Sequence, residues 1–335
     1  MTATLTISLK AIAENYKLLA SKAEPAECAV VVKADAYGLG LEPIARTLWK
    51  AGARFFYVAL LEEAIALRGI LPKAQIAVLN GVERENKKEK EYYQLISVMN
   101  HHGNLRGILH IDTGMNRLGF SLAEAEKLQS GLPDGRIMSH LACADTPEHS
   151  LNDEQYRLFN QIRKSFPATK ASLANSSGIF LKKCFHFDQV RPGCALYGIN
   201  PTPYQKSPVQ PVVTLTAPIL QTRTIEQDGT VGYGAAAKVK KGTRLATIGL
   251  GYADGFLRSI EGKGAVMIAG KPAKLLGRIS MDLIMADISH LPEQEYKEAE
   301  ILGKKITVDD VSQAAGTIGY EVLTRLGSRF KRSYQ

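Results

Sequence analysis

The sequence predicts an α/β protein: an N-terminal (β/α)8 barrel of the TIM type, followed by a mostly β C-terminal domain. Three observations carry this prediction. Strand-like and helix-like stretches alternate as far as about residue 200, the pattern of strand–helix units around a parallel sheet. The texture changes at Pro201-Thr202-Pro203-Tyr204-Gln205-Lys206-Ser207-Pro208, where three prolines in eight residues read as a linker. Beyond it come short alternating stretches between turn residues, with only two helix-like segments. The expected division is a barrel over residues 9–205 and a β-rich domain over residues 206–335, the latter also taking the strand at residues 1–8.

Residues 5–8 read as a short strand, and Ser8 is placed to cap a helix over 9–22 whose Leu9, Ile12, Tyr16 and Leu19 share one face. Next comes Cys28-Ala29-Val30-Val31-Val32-Lys33, apolar at successive positions as in a strand buried on both faces. Further barrel strands are expected at 55–59, 76–79, 95–98, 107–111, 137–141, 171–174 and 187–190, which with 28–33 makes eight. Helices are expected at 41–51, 60–67, 122–129 and 153–165. In the second domain strands are expected at 213–216, 219–224, 244–249, 265–268, 275–279, 283–288 and 302–308, with helices at 307–316 and 318–326.

The 335 residues suffice for two domains, and a 45% hydrophobic content is that of a protein with a sizeable core. No stretch is apolar over the roughly eighteen residues that a membrane-spanning helix needs. The N-terminus alternates like a strand and lacks the basic start and long apolar core of a secretory signal. The four cysteines, Cys28, Cys143, Cys184 and Cys194, are scattered and form no Cys-x-x-Cys pair. That argues against zinc and disulfides and for a reducing cytoplasm. The formal charge of +9 is spread along the chain, and the densest run, residues 83–91, interleaves lysine and arginine with glutamate as a solvated segment does. Charge without a motif gives no case for nucleic acid.

The chemistry is expected at the carboxyl ends of the barrel strands. Lys33 ends the first of them, where apolar neighbours desolvate its amine, lower its pKa and make it a nucleophile toward a carbonyl, the profile of a Schiff-base lysine. Barrels often hold phosphate in the loops after strands seven and eight. Here Asn175-Ser176-Ser177-Gly178 offers hydroxyls and backbone N–H groups, and Arg191-Pro192-Gly193-Cys194 has a glycine where a ligand can approach the backbone. A lysine and a phosphate site together suggest pyridoxal phosphate (PLP), with Arg191 facing its ring nitrogen. An arginine there stays cationic and leaves the ring nitrogen unprotonated, which suits a modest proton transfer.

With these residues in place a resemblance emerges. Val31-Val32-Lys33-Ala34-Asp35-Ala36-Tyr37-Gly38 resembles the PLP-attachment motif of the bacterial alanine racemases. Asp112-Thr113-Gly114-Met115-Asn116-Arg117-Leu118-Gly119 resembles their second signature, and Arg191-Pro192-Gly193 with Tyr197-Gly198 the third. Gly249-Leu250-Gly251-Tyr252-Ala253-Asp254-Gly255 is read as similar to the catalytic-tyrosine motif and Gly277-Arg278-Ile279-Ser280-Met281-Asp282 to a fifth. The resemblance spans nearly the whole chain, with the motifs in the family's order. It implies that Lys33 binds PLP covalently and is the base on one face of the substrate. Tyr252, from the other subunit of a homodimer, is the implied base on the opposite face. Tyr37, Ser176, Gly193 and Cys194 would hold the phosphate, Arg191 would face the ring nitrogen, and His140 would stack on the ring. Arg117 would bind near the cofactor's phenolic oxygen and the substrate carboxylate, which the Met281 backbone would also meet. The implied enzyme is an isomerase of L- and D-alanine serving peptidoglycan synthesis.

Four positions depart from the family pattern. His110 stands where many members have a lysine, carbamylated in some, that positions the arginine; here Arg117 is expected to be oriented differently, by His110, a water or a bound anion, and His110 next to it is expected to be neutral. Ser172 replaces a histidine that supports the ring-facing arginine, Leu39 replaces a histidine after Tyr37-Gly38, and Ser328 falls where some members place a phosphate-binding tyrosine. A racemase of serine, lysine or a broader set of amino acids stays open, because the pocket depends on a subunit interface. A related decarboxylase lacks the tyrosine motif, and a non-catalytic PLP carrier usually lacks the β domain.

Overall fold

The computed structural model describes residues 2–83, 86–101, 107–128 and 135–335. It divides into two compact units, Ile12–Gln210 and Met1–Ala11 with Pro211–Gln335. The N-terminal strand β1 (Thr4–Ile7) belongs to the second of these.

The first unit is the barrel. Its parallel strands are β2 (Glu27–Cys28), β3 (Val30–Val31), β4 (Phe55–Val58), β5 (Gln75–Val78), β6 (Ile96–Met99), β7 (Gly107–His110), β8 (Arg136–Met138), β9 (Lys170–Asn175) and β10 (Gln189–Arg191). Nine pieces fill eight barrel positions, because the first strand is split at Ala29. Its front half, β2, pairs with β10, and its back half, β3, pairs with β4. The Ala29 N–H donates to Val190 O and the Val31 N–H to Pro192 O, which carries the seam through the break. A side-chain chain reinforces it: Tyr57 Oη donates to Gln189 Oε1 (2.7 Å), Gln189 Nε2 to Glu27 Oε2 (2.8 Å), and Arg136 pairs with the same carboxylate (3.2 Å). Strands such as β4 and β7 are buried at every residue, as expected under a helical layer. One wall of the core packs Met99, Leu109, Ile137 and Leu173 with Phe159 and Ile162 of the helix Ser150–Arg163.

The second unit is an eight-stranded sheet in the order β14-β17-β16-β15-β18-β11-β1-β19, with a further β11–β14 pairing. These strands are β11 (Val213–Thr224), β14 (Arg244–Ile248), β15 (Ala265–Ile268), β16 (Lys271–Leu276), β17 (Ile284–Asp287), β18 (Glu298–Leu302) and β19 (Lys331–Tyr334). A small hairpin joins β12 (Gly229–Val231) to β13 (Ala237–Val239). Pairing is antiparallel except between β1 and β19.

Several expected elements shift, each for a local reason. The first strand stops at Val31, two residues short of Lys33, because residues 34–37 turn with positive φ. The last barrel strand starts at Gln189 rather than 187, since Phe187 has φ 49° and packs against Phe159. The expected pair at 213–216 and 219–224 is one strand: Pro218 lacks an N–H but its carbonyl accepts from Gly249, so the strand bends from one partner to the next without ending. The strand expected at 302–308 lies earlier, at Glu298–Leu302, because Thr307 already caps the following helix by accepting from the Asp310 N–H (3.2 Å). The helix expected at 122–129 runs Leu122–Glu126, and residue 129 lies outside the described residues, as do residues 84–85 of the mixed-charge run. Residues 206–210 stay with the barrel because the Asn15 side chain both accepts from the Gln210 N–H (2.8 Å) and donates to its carbonyl (2.9 Å).

Leu109 is fully buried in the barrel wall. Leu109→Ala is expected to cost about 2–5 kcal/mol, and Leu109→Met under about 1.5 kcal/mol. Chemical denaturation followed by fluorescence and circular dichroism checks both.

Candidate active site

Lys33 follows β3 by two residues and is half-buried at the carboxyl-end mouth of the barrel. Burial lowers its pKa, the Arg117 guanidinium lowers it further, and the Glu63 carboxylate opposes them. The following turn is unusual. Ala34, Asp35, Ala36 and Tyr37 all have φ between 52° and 60°, the left-handed region that non-glycine residues rarely adopt. Side chains hold it in place. Glu63 Oε1 accepts from the Ala34 N–H (2.6 Å), and Asp35 Oδ1 from the Leu41 N–H (2.7 Å). The turn carries Tyr37 back over the barrel, where its ring stacks on Tyr197 at 4.4 Å. Tyr197 Oη in turn donates to Val31 O (2.9 Å).

The loops after β9 and β10 meet beneath Tyr37. Ser176 Oγ accepts from the N–H groups of Gly193 (2.9 Å) and Ala195 (3.3 Å). A Cβ on Gly193 would fall 2.3 Å from Tyr37 Oη, so only glycine leaves the phenol its place. Cys194 is buried beside them. Burial pushes the Tyr37 phenol far up, which keeps it a neutral hydroxyl able to donate to an anion.

Arg191 ends β10 and is 4% exposed. It donates to Ser172 Oγ, to Ser139 O (2.5 Å) and to Leu173 O (3.4 Å), and its Nη2 lies 3.4 Å from His140 Nδ1. Ser172 thus supports the arginine directly, its own O–H donating to Gln189 O (2.7 Å). All four partners are neutral acceptors. His140 is held uncharged, first by burial and then by Arg191 and Arg117. His110, at the end of β7, is buried with its Nδ1 2.7 Å from Asn100 Oδ1. Burial, Arg191 and Arg117 bring its pKa down to about 4, against Asp112.

Arg117 stands exposed on the loop after β7. Asp112 Oδ1 shapes that loop by accepting from the N–H groups of Gly114, Met115 and Asn116 at 2.9, 2.9 and 3.2 Å. Gln155 ties it to the next one: its Nε2 donates to Thr113 Oγ1 (3.2 Å) and His140 O (2.9 Å), while its Oε1 accepts from the Ala142 N–H. The barrel mouth therefore gathers Lys33, Tyr37, Arg117, His140, Ser176, Arg191, Gly193 and Cys194.

Tyr252 and Met281 lie in the β unit. The Tyr252 N–H donates to Ser280 O (3.1 Å) and the Ala253 N–H to Met281 O (3.0 Å). Arg329 spans the two turns, pairing with Asp254 (3.2 Å) and Asp282 (2.9 Å). Both Tyr252 (43%) and Met281 (54%) are exposed. Tyr252 shares a hollow of about 430 Å³ with Tyr233, Arg258, Arg278, Ile279 and Ser280.

Tyr233, Asn100 and Gln155 are absent from the sequence reading. Tyr233 left a signal in Gly232-Tyr233-Gly234, a tyrosine bracketed by glycines, which take φ of 82° and 67°. Gln155 left one too, since it sits at helical spacing with Phe159 and Ile162 on a buried face. Asn100 left none.

His110 carries a stability signature. Its pKa is about 4 in the fold against an ordinary 6.5, so the unfolded chain binds the proton first. Its contribution is present above pH 6.5 and is lost as pH falls from 6.5 toward 4. The difference in unfolding free energy between wild type and His110→Gln is expected to shrink by on the order of 3 kcal/mol across that window, as read by urea titrations at successive pH values.

The alanine racemase N-terminal domain matches residues 7–201 and the alanine racemase C-terminal domain residues 212–334. An alanine racemase of Methylobacterium nodulans is 42% identical over 99% of this chain and 96% of its own. A catabolic alanine racemase of Mesorhizobium japonicum is 44% identical over 99% and 93%. Among solved structures, the alanine racemase of Bartonella henselae, which has covalently bound pyridoxal phosphate, superposes with a TM-score of 0.94 at 38% identity over 100% of both chains. The biosynthetic alanine racemase of Pseudomonas aeruginosa has a TM-score of 0.94 at 32% identity over 100% of this chain and 99% of its own. Matched in both domains and along its whole length, the chain belongs to the alanine racemase family, a family of PLP-dependent isomerases.

Proposed function

We propose that this protein is a PLP-dependent alanine racemase that interconverts L- and D-alanine as a homodimer, with one base on each face of the substrate. The observation that carries the reading is the barrel mouth. A desolvated lysine, a glycine-floored nest of N–H and hydroxyl groups, and a buried arginine held only by neutral acceptors face the same space.

The residues fit PLP. Lys33 Nζ would bond its aldehyde. Ser176, Tyr37 and the backbone at Gly193 and Cys194 would take its phosphate, in a cradle that a Cβ on Gly193 would fill. Arg191 would face the ring nitrogen and His140 the ring. When bound, the cofactor acidifies the α C–H of the amino acid attached to it. Arg117 and the Met281 backbone orient the carboxylate, Met281 N–H making no hydrogen bond among the described residues. Lys33 Nζ, its pKa lowered by burial and by Arg117, would take or return the α proton on one face.

The opposite face needs a second base, and a phenol serves only beside positive charge. The family resemblance assigns it to Tyr252. The geometry favours Tyr233 in the same hollow. Tyr233 stands at the tip of the β12–β13 hairpin, 73% exposed, and so is able to enter a second copy's barrel. The Arg278 guanidinium lies along Gly234, with Nη1 2.8 Å from where a Cβ would stand. We assign the phenolic base to Tyr233 and a lining role to Tyr252.

The proposed setting is the cytoplasm. The product would feed peptidoglycan synthesis in a bacterium, and the catabolic relatives make alanine breakdown the second reading.

Lys33→Ala is expected to abolish the visible absorbance of lysine-bound PLP together with racemisation, and a retained band would refute the assignment. Tyr233→Phe should lower racemisation by about 10²–10⁴ while one alanine enantiomer still exchanges its α hydrogen in D₂O, because Lys33 still serves its face. Tyr252→Phe should keep both activities within about tenfold. The reverse pattern, by NMR and chiral chromatography, returns the base to Tyr252. Turnover of serine or lysine in place of alanine would move the specificity.

A further inference from the structure

We propose that Gln155, on the helix Ser150–Arg163, is a positioning residue for His140: its amide grips the backbone on both sides of Leu141 and so sets the imidazole beside Arg191 and toward the cofactor ring. The inference rests on the reading of His140 given above.

Strand β8 ends at Met138, and the Ser139 N–H still reaches Ser172 O on β9 (3.0 Å). Beyond that point a side chain takes over. Gln155 Nε2 donates to His140 O (2.9 Å), and Gln155 Oε1 accepts from the Ala142 N–H (2.9 Å). A carbonyl and the N–H two residues on are the pair that a neighbouring parallel strand engages, so the Gln155 amide stands in for a strand beside Leu141. The orientation of the amide is fixed, because the Ala142 N–H can only donate and the His140 carbonyl can only accept.

Gln155 is fully buried on a helix face that it shares with Phe159 and Ile162. An apolar side chain would meet the needs of packing there, whereas a buried amide is favourable only when its hydrogen bonds are made. Other contacts hold the same short segment. Gln155 Nε2 also donates to Thr113 Oγ1 (3.2 Å), which lies 2.8 Å from Ser139 Oγ. Ser139 O in turn accepts from Arg191 (2.5 Å). Asn152, one turn earlier on the helix, donates to Cys143 O (3.1 Å) and Thr146 O (3.0 Å). From the opposite side Leu141 packs on the loop after β9, where a Cβ on Gly178 would fall 2.9 Å from Leu141 Cδ1. Residues 139–143 are thus fixed between the helix, the loop after β7 and the Ser176 loop, with His140 Nδ1 3.4 Å from Arg191 Nη2. A methionine at 155 would fill the same space and hold neither His140 O nor the Ala142 N–H.

The test uses the full-length protein, freed of cofactor and titrated with PLP, with binding followed by the visible absorbance and circular dichroism of the bound ring. Urea titrations check the fold of every variant. Gln155→Met keeps the volume and removes the amide. It is expected to raise the PLP dissociation constant by about 10-fold, the cost of a buried group left without its partner, and to weaken the visible circular dichroism at saturation. At saturating PLP its kcat should fall by more than its KM for L-alanine changes. Gln155→Asn, which keeps the amide but draws it back by one methylene, should behave alike. Phe159→Leu disturbs the same buried helix face without removing these bonds, so its urea midpoint should fall while PLP affinity and the visible band stay at wild-type values. Hydrogen–deuterium exchange of residues 139–146 should quicken in both Gln155 variants and not in Phe159→Leu. Wild-type affinity and band in either folded Gln155 variant, or an equal loss in Phe159→Leu, would show that Gln155 serves packing alone. If His140→Leu itself leaves PLP affinity and the band unchanged, the reading of His140 falls and this proposal with it.

Discussion

Positive charge confined at the barrel mouth is the constraint on which the site depends. Arg191 is buried with its hydrogen bonds met by a hydroxyl, two carbonyls and an imidazole. These satisfy its N–H groups without neutralising it, and a buried charge without a counter-charge is costly. Lys33 and Arg117 add to the same field, while His110 and His140 are kept from adding to it. Glu63 is close to Lys33, but both its oxygens are occupied by the N–H groups of Ala34, Ala59 and Leu60. The region is thus prepared for anions that it does not itself supply, in the proposed function a phosphate and a carboxylate. Specificity for such a guest follows from what the protein leaves uncompensated.

The same economy explains the left-handed turn after Lys33. Four L-residues in that region are each unfavourable by about 1–2 kcal/mol, and Glu63 and Asp35 hold them there. What the strain secures is Tyr37, folded back against Tyr197 and over Gly193. The missing side chain of Gly193 and the position of the Tyr37 phenol are two sides of one contact.

Much of this was legible in the chain. The alternation of strands and helices, the proline-rich break and the motifs around Lys33, Arg117 and Arg191 marked out barrel, β unit and mouth. What was hidden has physical reasons. The left-handed turn contains Ala34 and Ala36, which carry no local preference for it; Asp35 from within the turn and the distant Glu63 hold it there. Strand β19 is polar and only partly buried, so it has no apolar alternation to read. Asn100 and Gln155 act through single hydrogen bonds across the fold, which leave no period. Tyr233 carries a signal of its own, a tyrosine between two glycines, nineteen residues before Tyr252.

The pairing of β1 bears on how the chain can fold as it is synthesised. β1 precedes the barrel in sequence, yet its partners are β11 and β19, which lie beyond the entire barrel. All of Ile12–Gln210 can emerge and close before β1 has any strand to join. During that interval Leu5 and Ile7, both fully buried in the finished sheet, have no sheet to enter. A nascent chain thus carries a short exposed sticky segment upstream of a completed domain, the circumstance in which a chaperone at the ribosome exit has most to do.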